Sequence, residues 1–228
     1  MKKYWLSWVC IVLFTLPVQA KEVIQYSLNN GLEVVLIKDS SSPVASIRTI
    51  VKSGSIHEAS NRGSGLAHYL EHLVSGGTTT VQSEKMYRKA VVECGGASNA
   101  YTTLDHTAYF INTTNEKLPL AIKIVYEWMF FNAFSSAEFQ REKSVVLKEL
   151  ERGEASLARQ VYYANQAHFY DFHPRQYPVI GLRNLVEETT EKSIKQFYKK
   201  HYVASNMILV IGGNFDVEKV RQQIEKSF

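Results

Sequence analysis

The chain has 228 residues, a formal net charge of +4, 45% hydrophobic residues and two cysteines. So mild a charge, with no basic run interleaved with aromatics, excludes a nucleic-acid surface as the organising feature. One cysteine, Cys10, lies in the N-terminal apolar stretch, so Cys94 alone remains beyond it and an internal disulfide framework is excluded.

Residues 1–20 read as a signal peptide. Lys2 and Lys3 give a basic start, Tyr4 to Leu16 is mostly apolar, and Val18-Gln19-Ala20 ends in a cleavage site. The apolar run is shorter than the roughly 20 residues of a spanning helix. Cys10 lacks the preceding small residues that lipid attachment needs. Residues 21–228 are therefore expected as a soluble exported product, periplasmic in a Gram-negative bacterium and otherwise extracellular, long enough for one large α+β domain.

Val23 to Leu28 and Leu32 to Lys38 alternate around Asn29-Asn30-Gly31, which predicts a β-hairpin, and Val44 to Val51 predicts a third strand. Gly63, Ser64 and Gly65 then interrupt the chain. Leu66, Ala67, Leu70, Leu73 and Val74 follow as a helical apolar stripe closed by Gly76-Gly77. Ser83 can cap a second helix running to about Glu93, after which Ser98 to Thr103 and His106 to Asn112 read as extended. Leu118 to Phe131 predicts an amphipathic helix, and Ser136 to about Tyr170 one long helical stretch. Helix Glu191 to Tyr202, strand Met207 to Ile211 and helix Val217 to Phe228 complete a mixed order of strands and helices.

Within the first helix His68, Tyr69, Leu70, Glu71 and His72 spell HxxEH, the inverted zinc-peptidase motif. At about 100° per residue the two histidines lie about 40° apart with Glu71 beside them. Both imidazoles can reach one ion while the carboxylate borders it as a base. With 7 His in 228 residues the motif is expected by chance roughly 0.02 times. The bland alternative is a half-buried helix with two hydrogen-bonded histidines and a solvated glutamate. A catalytic zinc takes a third protein ligand, which spacing alone does not select.

Beyond the motif, the chain resembles the pitrilysin, insulysin and mitochondrial processing peptidase family from Val23 to Phe228. The likeness rests on HxxEH, Gly54-Ser55-Ile56-His57-Glu58, Gly95-Gly96-Ala97-Ser98-Asn99-Ala100, Asp105-His106-Thr107-Ala108-Tyr109, His173-Pro174, Phe197-Tyr198 and Val210 to Phe215. It implies an α+β fold, a mostly antiparallel sheet with helices packed on it. It also implies a zinc metalloendopeptidase acting on peptides or unfolded polypeptides, with about one Zn2+ per chain.

By the same resemblance Glu149 is the third ligand beside His68 and His72, Glu71 is the general base, and Glu142 supports the site from seven residues earlier. Asn99 and Ala100 match positions that lie along bound peptide, which adds to the edge strand by β-augmentation. His57, His106, His168, His173 and His201 are expected as surface or core residues, and Cys94 as a core residue. Active members carry a second, similar domain that helps hold substrate and stabilise the reacting carbonyl. That domain has no counterpart before Phe228, so a second domain or partner subunit is expected. The rival expectation is a non-catalytic peptide-binding or assembly subunit.

Overall fold

The structure, a computed structural model, describes residues 22–228, and the signal peptide expected over residues 1–20 lies outside them. β1 (Glu22–Ser27) and β2 (Glu33–Lys38) form the predicted hairpin, pairing Ser27 with Glu33. Gly31 turns the chain with φ +86°, a conformation that side chains disfavour. β3 (Val44–Val51), β4 (Ala97–Thr102), β5 (Thr107–Thr114) and β6 (Met207–Gly213) complete a six-stranded sheet of order β1-β2-β6-β3-β5-β4. The last strand in sequence is thus central, parallel to β2 and antiparallel to β3, and every other pairing is antiparallel.

Alternation decides which face is covered. Val34, Leu36, Ala45, Ile47, Tyr109, Ile111, Leu209 and Ile211 are buried, while residues between them are half-buried or exposed. Against the buried face packs α3 (Leu118–Phe130), contributing Ile122, Val125, Trp128 and Met129 to the core. The helices α1 (Leu66–Val74), α2 (Glu84–Glu93), α4 (Ser136–Glu154), α5 (Leu157–Phe169), α6 (Arg183–Glu188), α7 (Glu191–His201) and α8 (Val217–Ser227) complete the α+β fold. Among the described residues no helix is long and apolar enough to cross a membrane. Cys94 is buried, as expected.

Two expectations need correction. The stretch from Ser136 to Tyr170 is two helices, because the chain turns extended at Ser156 (φ −96°, ψ 109°), which becomes the N-cap of α5. The buried stripe of α4 ends with Leu150 and Gly153, and α5 has no fully buried residue of its own. Ser83 does precede α2, but its side chain makes no cap bond; the Glu84 amide is taken at 3.1 Å by the Thr78 hydroxyl instead. The six-residue α6 was not anticipated, being too short to show a periodic stripe.

Candidate metal centre

α1 is built to be held rigidly. Gly65 at its N-cap has φ +66°, and a Cβ there would meet the Ile180 carbonyl oxygen at 2.3 Å, so only glycine fits. The Ala67 amide in the first turn donates to Glu58 Oε1 at 3.2 Å. The Tyr69 hydroxyl donates to the backbone oxygen of Phe139, and Asn132 Nδ2 to that of Leu73 at 2.9 Å. The helix is thereby fixed to α4 on one side and, with Leu66, Leu70, Leu73 and Val74 buried, to the core on the other.

Its polar side meets α4. Glu149 Oε2 lies 3.6 Å from His68 Nε2 and 3.7 Å from His72 Nε2, and the three prospective donor atoms all fall within 4.8 Å of one another. A tetrahedral zinc with bonds of about 2.0–2.1 Å separates its donors by about 3.4 Å, so two imidazoles and a carboxylate at these spacings fit the ion. His72 Nδ1 faces Glu142 Oε2 at 3.3 Å, which fixes the proton on Nδ1 and leaves the Nε2 lone pair directed at the group. Glu142 is itself held by Arg141 at 2.9 Å, and Arg141 reaches Glu84 at 2.9 Å.

The electrostatics divide the two histidines. Burial, with the neighbouring His72 charge, pulls the His68 pKa down to about 3, so this imidazole is neutral and free to donate its lone pair. Burial also opposes charge on His72, but the hydrogen bond it donates to Glu142 and the nearby Glu149 and Glu71 carboxylates outweigh it and raise its pKa. Glu142 is lowered in turn, its burial overcome by His72 and Arg141.

Glu71 stands next to the trio without joining it. Its Oε2 accepts the Thr102 hydroxyl at 2.6 Å from the end of β4, and its pKa is raised by burial against the pull of that bond and of His72. β4 is the outer strand of the sheet, and the Ala100 amide is taken up at 2.9 Å by the Asn99 side chain rather than by β5. His68, Glu71, His72, Asn99, Ala100, Glu142 and Glu149 thus all border one cleft of about 410 Å3. His57, His106, His168, His173 and His201 lie outside the ligand trio.

Sequence reasoning missed Thr102, Arg141 and Glu84. Thr102 could have been found from its place two residues beyond Ala100 on the same side of a strand. The arginine and Glu84 carried no signal, being ordinary charges on helix surfaces.

A mixed sheet that supports an HxxEH helix, with a later helix supplying a glutamate to the same point, defines a zinc-protease-like domain. The profile of the family described as Insulinase (Peptidase family M16) matches residues 33–181, and that of the Peptidase M16 inactive domain matches residues 189–228. The chain belongs to peptidase family M16. It is 31% identical over 204 residues to zinc protease PqqE of Helicobacter pylori, covering 89% of this chain and 46% of that protein. It is 26% identical over 201 residues to cytochrome b-c1 complex subunit 1 of Bos taurus, covering 88% and 41% respectively. A crystal structure of a protease from Helicobacter pylori superposes with a TM-score of 0.85 at 30% identity, covering 91% of this chain and 50% of that one. The chain spans about half the length of the relatives it matches.

Proposed function

We propose that this domain is the metal-bearing half of a zinc metalloendopeptidase, with His68, His72 and Glu149 as ligands and Glu71 as general base. The observation that carries the reading is the convergence of three ligand atoms within 4.8 Å beside a buried carboxylate on the same helix. When bound, zinc supplies Lewis acidity toward water and toward the scissile carbonyl. Glu71 takes the proton of the attacking water and passes it to the leaving amide nitrogen, its burial making it a stronger base than a solvated glutamate. Thr102 fixes Glu71 through Oε2, leaving Oε1 for the proton. Glu142 orients His72, and the outer edge of β4 at Asn99 and Ala100 holds extended peptide by backbone bonds.

The relatives, twice as long, support a second half that closes over the cleft, whether from the same natural chain or from a partner subunit. The basic start, apolar run and small-residue end of residues 1–20 support export. A non-catalytic assembly subunit is the second reading, favoured by the relative that forms part of the cytochrome b-c1 complex. The retained Glu71 and Glu149 favour the enzyme.

The test is cleavage of an internally quenched peptide by the zinc-loaded chain supplied with a second M16 half. Chelator should abolish turnover, and Glu71→Gln should lower it by about 100-fold or more while retaining metal. Turnover unchanged in Glu71→Gln would remove Glu71 from its role, and none under any condition would favour the second reading.

A further inference from the structure

Behind Glu149 lies a second, smaller cavity of about 140 Å3 between α4, α5 and the segment before α6. Glu149 borders both this cavity and the main cleft, which places the cavity directly beside the proposed metal site. Its walls are largely apolar, from Leu150, Tyr163 and Ile180. Of its charged groups, Glu149 belongs to the proposed metal site, and Glu154 and Arg183 satisfy each other through two bonds of 2.6 and 3.3 Å. Arg159 is left. It is exposed and makes no hydrogen bond or ion pair with any described residue. Its guanidinium rests over Gly153, where a Cβ would sit 3.2 Å from Nη1. Gly153 follows Glu149 by one helical turn on the same side of α4. The Tyr163 hydroxyl likewise has no hydrogen bond among the described residues.

We propose that this cavity is a specificity subsite for an acidic substrate residue, with Arg159 as its selecting group. The inference rests on the peptidase reading above and adds the substrate's charge. An aspartate or glutamate brings methylenes for the apolar wall and a carboxylate for the arginine fork and the tyrosine hydroxyl, both free to donate. A lysine or arginine entering the same space meets an unneutralised cation, and a neutral side chain leaves the guanidinium unpaired. The volume admits one side chain, so selection acts at a single substrate position.

Binding tests this apart from turnover. Zinc-loaded Glu71→Gln chain is titrated by fluorescence anisotropy with Ala/Ser decapeptides carrying one Glu, Gln or Arg scanned through the sequence. At one position Glu should bind about fivefold tighter than Gln, and Arg weaker still. The preference should shrink in 0.5 M salt, as roughly expected for a partly exposed pair. Adding Arg159→Gln should abolish the preference, Arg159→Glu should reverse it, and Arg159→Lys should keep part of it, all with zinc content unchanged. Equal binding of Glu and Arg peptides at every position, or a preference that survives Arg159→Gln, overturns the subsite while leaving peptide binding intact. Binding of no peptide by the zinc-loaded chain, even when a second M16 half is supplied, overturns the peptidase reading, and the subsite with it.

Discussion

Glu58 sits one loop before the metal helix, 2% exposed, with Oε1 on the Ala67 amide and Oε2 buried without a partner. Burial pushes its pKa from 4.5 up to about 8, against the pull of the amides from Gly63 to Ala67. The folded carboxyl therefore holds its proton more tightly than the unfolded one. Its contribution to stability is complete below pH 4.5 and is lost as pH rises toward 8. Glu58→Gln keeps an acceptor for the helix and removes the titration. Between pH 5 and pH 9 the melting temperature of the metal-free parent should fall about 5 °C further than that of Glu58→Gln, measured by circular dichroism. Parallel shifts in the two proteins would show that Glu58 ionises freely in the fold. Residues with local geometry were legible from sequence, as His68, Glu71 and His72 show, because three and four residues along a helix return to one side. Glu149 was not legible from spacing, since 77 positions separate it from His72 and only the folded packing of α4 on α1 joins them. It was found by resemblance.

β4 combines two roles, bracing Glu71 through Thr102 and presenting an unpaired outer edge. Because the Ala100 amide faces the Asn99 side chain and not β5, a proline there removes an edge donor without breaking the internal ladder. Ala100→Pro should weaken binding of an extended peptide by about fivefold or more, with the zinc content of the parent. Unchanged peptide affinity in a folded, metal-loaded variant would put substrate elsewhere. Among the elements, strands with strict alternation and helices bounded by glycine were read close to their observed limits, β3 and α1 among them. The break at Ala155-Ser156 was invisible because neither residue is a strong helix breaker; α4 ends where its packing ends. The entry of β6 between β2 and β3 was equally hidden, since strand order depends on long-range pairing that no local pattern records.

At the scale of the whole chain, these residues span about half the length of the relatives they match, and their large buried core is that of a unit that folds by itself. The groups that would stabilise the reacting carbonyl are proposed to come from the second half, and one such donor is worth about 100- to 1,000-fold in rate. This chain alone should therefore cleave peptides at least about 100-fold more slowly than the same chain mixed with a second M16 half. Full activity from a monomeric preparation would show that this half supplies its own stabilisation. The most direct test of the central claim is the metal content of the purified chain, by elemental analysis, in the parent, Glu149→Ala and Glu71→Gln. The account predicts about one zinc per chain in the parent and in Glu71→Gln, and little in Glu149→Ala. Full zinc in Glu149→Ala, or its loss from Glu71→Gln, would contradict the assignment of ligand and base.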